Sequence, residues 1–217
     1  MSKDWERDLV SSGVSHHDSQ EQTLEQFYLP VEGRARSPFR ARASDLTLPI
    51  DDYVAGSAVP HAPVPFGYSS GSNMYDWIWT ELATVILSAE LVSLMRQSNL
   101  TGWAIYPVEL RDACEEVLPA YVGLSVVGKT GPLDDSNIPV TSEKSRITGR
   151  PVPQRKGFFF DVSTWDGSDF FSPNNSPMII VTARVRDILV KKKIKNVLFE
   201  RITEAVRIGT TSIFPSK

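Results

Sequence analysis

Two stretches of the chain decide the fold. Residues 86–105 read ILSAELVSLMRQSNLTGWAI, and residues 180–199 read IVTARVRDILVKKKIKNVLF. An offset of 94 residues aligns them without a gap, and ten of the twenty paired positions are apolar in both copies. Each copy passes from a short apolar run into Ser88 or Thr182, whose hydroxyl can accept a hydrogen bond from the first amides of a helix. The two stretches therefore predict the same local structure twice.

Both copies continue with apolar residues at helical spacing. These lie at positions 91, 94 and 95 in the first copy and at 185, 188 and 189 in the second, which is typical of a packed helix face. Gly102 and Asn196 tolerate the left-handed backbone found near helix ends, and an apolar triplet follows each. We predict two strand–helix–strand units, near residues 79–110 and 178–206. Duplication of one unit would explain why both copies have the same kinds of residue at the helix start and after the helix end. The alternative is that an α/β chain repeats this pattern by chance.

The rest of the chain is predicted from its prolines and apolar runs. Residues 121–127 and 157–162 read as strands, whereas 30–65 hold six of the fifteen prolines and 128–153 is rich in Pro, Gly and Ser. We therefore expect an α+β class, with a mixed sheet and long Pro-rich connections. Residues 1–26, with six acids against two basic residues, are expected to form a polar N-terminal arm before a single α+β domain at 27–217.

Composition excludes several classes of function. The 217 residues carry 23 Lys+Arg against 26 Asp+Glu, and a net charge of −3 gives no reason to expect nucleic acid or an anionic membrane as a partner. The single cysteine, Cys114, excludes a disulfide scaffold and a multi-cysteine zinc site. No apolar run has the roughly 18 residues of a membrane span, and the N-terminus does not read as a signal peptide. We expect a cytoplasmic protein.

Motifs for catalysis and cofactor binding are weak. The segment 123–130 matches the phosphate-binding pattern G-x-x-x-x-G-K-T, but Gly131 and Pro132 follow where the pattern requires a helix. We predict a strand ending in a turn and no nucleotide site. The three histidines lie in polar or Pro-rich segments, and Cys114 has acidic neighbours that disfavour its thiolate. We therefore name no catalytic, cofactor-binding or metal-binding residue.

Two segments mix aromatic and charged residues as partner-binding surfaces do. One is an acidic turn with Trp165, Asp166 and Asp169, whose spacing does not fit a calcium loop. The other is an arginine stripe in the Pro-rich region, where a solvated face is the competing interpretation. The candidate partner-binding residues are Trp165, Asp166, Asp169, Arg34, Arg36 and Arg40.

The C-terminal third also carries a family resemblance. Phe160-Asp161, then residues 165–171 (WDGSDFF), then 179–185 (IIVTARV) and 194–199 (IKNVLF) follow one another in an order that resembles the closing segment of immunity proteins of bacterial polymorphic-toxin systems. In particular, the chain resembles double-CXXCG motif immunity proteins and the similar immunity protein family eleven. The resemblance covers residues 79–206. With Cys114 alone, the sequence lacks both CXXCG motifs, so any zinc ribbon of that family is dropped.

The resemblance implies a small cytoplasmic protein that binds a cognate protein toxin and neutralises it by occlusion, without catalysis. One alternative is a small enzyme whose dispersed site would use Asp161, Asp166, Asp169 and the loop of Lys129. Another is a scaffold protein that only forms homo-oligomers.

Overall fold

Strands dominate the computed structural model, which describes residues 24–44, 50–58, 60–81, 84–136, 138–144 and 149–208. Strands make up 42% and helices 15%, so the predicted α+β class is wrong and the protein is mostly β. The Pro-rich segments, expected as connections, account for the difference because several of them are strands. Of the predicted N-terminal arm, residues 1–23 lie outside the described part of the chain.

The elements are listed here in chain order. The strands are β1 (Phe27–Glu32), β2 (Arg40–Ala43), β3 (Val64–Ser70), β4 (Trp77–Trp79), β5 (Val85–Ser88), β6 (Trp103–Arg111), β7 (Val117–Leu118), β8 (Tyr121–Val126), β9 (Gly128–Thr130), β10 (Val140–Lys144), β11 (Pro151–Lys156), β12 (Phe170–Pro173), β13 (Ile180–Thr182), β14 (Val197–Arg201) and β15 (Val206–Ile208). The helices are α1 (Ile50–Val54), α2 (Ala89–Gln97) and α3 (Ala183–Lys191), with a 3-10 turn at Val162–Thr164.

The described strands form three sheets. A seven-stranded sheet runs in the order β2-β3-β6-β8-β5-β4, with β7 paired to β6. A parallel bridge between Ala41 and Thr80 joins its two ends, so this sheet curls into a nearly closed, barrel-like form. A five-stranded sheet has the order β14-β1-β13-β12-β9, and β10, β11 and β15 form a third.

Proline is accommodated in these strands at positions where its missing N–H costs little. Pro30 lies inside β1 and pairs with Phe199 of β14, but β13 pairs with β1 only at Phe27 and Tyr28. The backbone at Pro30 therefore serves one neighbouring strand, as at a sheet edge, where proline is tolerated. Proline content alone does not separate such a strand from a loop.

Both predicted helix starts are confirmed. Helix α2 begins directly after Ser88 and α3 directly after Thr182. The Ser88 hydroxyl accepts a hydrogen bond from the Leu91 amide at 3.1 Å, whereas Thr182 makes no side-chain cap of this kind. The exits match as well, because Gly102 and Asn196 both have positive φ, +79° and +66°. Each helix is flanked by strands in the predicted order.

The 94-residue offset extends beyond the two units to strands β1 and β8. Phe27 pairs with Thr182, and Tyr121 pairs with Ser88, its counterpart under the offset. The pairs of β1 with β14 likewise match those of β8 with β6, position by position. Yet β1, from the first half of the chain, lies between the strands of the second unit, and β8 lies between those of the first. The two halves thus exchange their central strands.

One apolar cluster joins the two units. It contains Leu91 and Met95 of α2 together with Val185 and Leu189 of α3, all 1% exposed or less. Side chains from both large sheets, such as fully buried Trp77, pack against these helices. The units therefore share a core and do not merely follow one another along the chain. Among the described residues, no helix has the length and apolar character of a membrane span.

Candidate partner-binding surface

Trp165 of the predicted acidic turn is part of the core. Its ring lies 5.0 Å from that of Phe27 and 5.7 Å from that of Phe171, measured between ring centroids. Its indole N–H donates to the Ser168 carbonyl at 3.0 Å. Aromatic contacts of this kind and a satisfied indole stabilise the turn from within. Half-buried, Trp165 holds the turn against the five-stranded sheet.

The carboxylate of Asp166 organises the same turn. It accepts hydrogen bonds from the Lys129 amide at 2.7 Å and from the Ser168 amide at 2.9 Å. Partial burial acts to raise the pKa of Asp166, but these N–H donors outweigh it and the pKa is lowered. Asp166 remains exposed and ionised, so it is available to a partner as well as to the turn.

Asp169 lies inside the protein and only 6% of it is exposed. Its carboxylate accepts from the Thr101 amide at 3.0 Å and from the Thr182 hydroxyl at 3.0 Å. Arg184 also donates to it at 2.9 Å. These partners satisfy a buried charge that would otherwise be costly. Asp169 therefore joins the entry of α3 to the exit of α2, apart from any surface role.

The three arginines of the stripe are exposed. Arg40 forms an ion pair with Glu32, across the connection between β1 and β2. The Arg36 carbonyl accepts hydrogen bonds from the Asn73 amide group at 2.7 Å and from the Tyr75 hydroxyl at 3.0 Å. Backbone bonds thus fix this segment while the side chains of Arg34 and Arg36 face solvent. Their contact with a partner stays a prediction.

Other sequence motifs are placed as follows. Where a phosphate-binding loop would begin a helix, Gly128–Thr130 forms strand β9. Cys114 is exposed in the connection between β6 and β7, and His61 is exposed beside Pro60. In the part of the chain that the structure describes, no group of three or more His, Cys, Asp or Glu side chains could hold a metal ion. His16 and His17 lie outside it.

Sequence reasoning missed an open groove of about 500 Å³ along α2. We call it the α2 groove. Its lining combines apolar side chains, two carboxylates and one ammonium: Asp76, Ala89, Glu90, Leu91, Ser93, Leu94, Gln97, Lys192 and Ile194. Lys192 and Ile194 follow the end of α3, so the groove lies where the N-terminal end of α2 meets the C-terminal end of α3.

The α2 groove has a negative electrostatic character. Burial raises the pKa of Tyr121, and the charges of Asp76 and Glu90 raise it further, because both disfavour a phenolate nearby. Glu90 is exposed, and within the described residues its carboxylate has no hydrogen bond or ion pair. The groove therefore offers an unpaired carboxylate beside apolar side chains such as Leu94.

One signal in the sequence could have pointed to this groove. Under the 94-residue offset, Glu90 corresponds to Arg184, so the charge is reversed at one position of otherwise similar units. A charge reversal between copies indicates that the residue makes different interactions in the two units. Its meaning emerges only when the neighbours of Arg184 are known, and those lie far away in sequence.

No protein-family model matches the sequence, and no curated protein matches it.

Proposed function

We propose that this chain is a binding protein of the immunity type, which neutralises a cognate bacterial protein toxin by covering it, without catalysis. It would act in the cytoplasm of the cell that it protects. The α2 groove is the observation that carries the proposal, because it is open and its lining combines apolar and charged side chains. Such a mixture suits a protein partner, whose apolar anchor is buried while charged groups around it steer the encounter.

The chemistry of the groove supports a protein partner over a small substrate. Leu94 and Ile194 are partly buried and offer apolar contact area to an inserted side chain. Asp76, Glu90 and Lys192 in its lining provide charges of both signs. The sequence resemblance of residues 79–206 to immunity proteins points to the same class of partner. Trp165, Asp166 and the arginine stripe are retained as a second predicted contact.

Co-expression with the toxin-like product of an adjacent gene tests the proposal. We expect a stable complex on size-exclusion chromatography and restored growth of cells that express the toxin. A chain that leaves toxicity unchanged and forms no complex would contradict the proposal. A symmetric oligomer of the chain alone, with no toxin bound, would favour the scaffold interpretation, and turnover of a substrate would favour the enzyme.

A bulky substitution locates the contact. Ser93 is exposed on α2 and lines the groove, so Ser93→Trp should fill it and weaken the complex at least tenfold, about 1.4 kcal/mol. Ser142→Trp on exposed strand β10 is the matched control and should bind normally. Both variants should keep the melting temperature of the parent. Equal binding by the two variants would place the contact elsewhere.

A further inference from the structure

The ends of α2 and α3 meet at two places, which we call junctions: the start of α3 with the end of α2, and the start of α2 with the end of α3. Arg184 connects the two helices at the first of these junctions. It lies in the first turn of α3 and donates to the Ser98 carbonyl at 2.6 Å, to the Asn99 carbonyl at 3.3 Å and to Asp169 at 2.9 Å. Ser98 and Asn99 directly follow α2. One guanidinium therefore joins a carboxylate to two carbonyls at the end of the opposite helix.

The other junction presents a corresponding set of acceptors. Asp76 occupies the place of Asp169, because its carbonyl accepts from the Ser88 amide at 3.0 Å and its carboxylate from the Ser88 hydroxyl at 2.7 Å. Asp169 receives the same two bonds from Thr182, both at 3.0 Å. The shared pattern identifies Asp76 as the counterpart of the carboxylate that binds Arg184.

The carbonyl acceptors correspond as well. Lys192 and Lys193 follow α3 as Ser98 and Asn99 follow α2. The φ of Lys193 is +56° and that of Asn99 is +49°, so the backbone turns in the same way after both helices. Lys192 itself lines the α2 groove. The carboxylate and the paired carbonyl positions are thus retained at this junction.

This junction differs from the first at the position of Arg184, where it has a carboxylate in place of a guanidinium. Glu90 stands at the position of Arg184, and the space is the open α2 groove. Glu90 adds a second carboxylate to Asp76, and Lys192 is the single basic residue among the described residues that line the groove. The groove therefore keeps the carboxylate of an arginine site, lies beside the backbone that corresponds to Ser98 and Asn99, and has two carboxylates to one ammonium in its described lining.

We propose that the α2 groove binds an arginine side chain of the partner protein, in the position that Arg184 takes at the other junction. The identity of the partner as a toxin rests on the proposed function; the arginine site itself does not. The planar guanidinium presents several N–H donors in a fixed fork, which suits a carboxylate flanked by carbonyls. An ammonium is a compact charge that cannot span such a set of acceptors.

Titration of the isotope-labelled full chain with N-acetyl-arginine amide tests the site without any toxin. We expect saturable amide shifts in NMR spectra at Glu90, Lys192 and their neighbours. The neutral isostere N-acetyl-citrulline amide should shift them at least fivefold less at equal concentration. Equal shifts by the two compounds, or arginine shifts confined to other surfaces, would overturn the proposal.

Substitutions at Glu90 provide the second arm. Glu90→Gln keeps the shape and should weaken arginine binding at least threefold. Glu90→Arg should place the protein's own guanidinium in the groove, abolish binding of the probe and raise the melting temperature. Glu116→Arg, at an exposed position outside the groove lining, is the control and should do neither. Probe binding by Glu90→Arg at the parent's affinity would also overturn the proposal.

The toxin complex separates this inference from the proposed function. If Ser93→Trp blocks the complex and Glu90→Arg leaves it intact, the partner uses the groove without an arginine and only the inference fails. If the probe binds as expected but no toxin is neutralised, the arginine site stands and the proposed function fails.

Discussion

At the scale of single residues, Tyr106 of β6 illustrates how a buried polar group is tolerated. Its ring lies over Gly123 on the neighbouring strand, where an added Cβ would come within 2.0 Å of the ring. An aromatic ring covering a strand glycine restores the packing that the missing side chain forgoes. Within the described residues, the hydroxyl makes no hydrogen bond of regular geometry. Burial raises the pKa of Tyr106 to about 12, although the Thr84 side chain acts to lower it.

This predicts a pH-dependent effect of Tyr106→Phe. The unfolded chain ionises this phenol near pH 10, before the folded chain does, so the parent loses stability as the pH rises from about 10 towards 12. The variant should gain about 1 kcal/mol in the free energy of unfolding at pH 7, since a buried hydroxyl without a well-formed hydrogen bond is removed. The gain should grow by about 1 kcal/mol at pH 11. Urea unfolding at both pH values measures it, and a gain independent of pH would contradict the prediction.

Asp169 shows where prediction at the residue scale stops. Its neighbours in sequence are Ser168 and an aromatic pair, which suit an exposed turn. Its partners Thr101, Thr182 and Arg184 are 68, 13 and 15 residues away, and together they satisfy the buried carboxylate. Asp166 accepts one bond from Ser168, two residues away, which agrees with the predicted turn, and one from Lys129, 37 residues away, which the sequence did not indicate. Local hydrogen bonds can be anticipated from sequence, and distant ones cannot.

At the scale of elements, the same difference separates the helices from the strands. A hydroxyl residue before the helix and an i, i+3, i+4 apolar stripe are local signals, so the starts of α2 and α3 next to Ser88 and Thr182 could be predicted. The pairing of β1 depends on β13 and β14, more than 150 residues later, and its Pro30 suggested a connection. The mostly β class was missed because strand partners, unlike helix caps, are not adjacent in sequence.

The two aspartates that bind the residue before each helix, Asp76 and Asp169, predict unequal costs for equivalent substitutions. Asp169→Ala removes a buried carboxylate that holds Thr101, Thr182 and Arg184, and should lower the free energy of unfolding by about 3 kcal/mol. Asp76→Ala removes one hydrogen bond from Ser88 at a half-buried site and should cost about 1 kcal/mol. Urea unfolding of both variants at pH 7 compares them. Equal losses would mean that the contact between Arg184 and Asp169 contributes nothing to the free energy of unfolding.

At the scale of the whole molecule, the exchange of β1 and β8 determines how the units depend on one another. Each unit contains a strand from the other half of the chain, and the shared core includes both helices. Neither unit can lose its central strand without exposing the apolar residues that the strand covers. The sequence does not predict this exchange, because nothing in the residues of β1 and β8 indicates whether each pairs with strands of its own half or of the other half.

We therefore expect the two units to unfold in one transition. Phe27→Ala in β1 removes a fully buried ring from the second unit's sheet and should cost about 3–5 kcal/mol. NMR signals of Leu87 in the first unit and Val181 in the second, followed in urea, should disappear at one midpoint in the parent. Both midpoints should fall together in the variant. The reason is that β1 pairs with the strands of the second unit but comes from the half of the chain that contains α2. Leu124→Ala changes a buried residue of β8, the other exchanged strand, and should lower both midpoints as well. A fall confined to Val181 in the first variant, or to Leu87 in the second, would show that strand exchange does not couple the units.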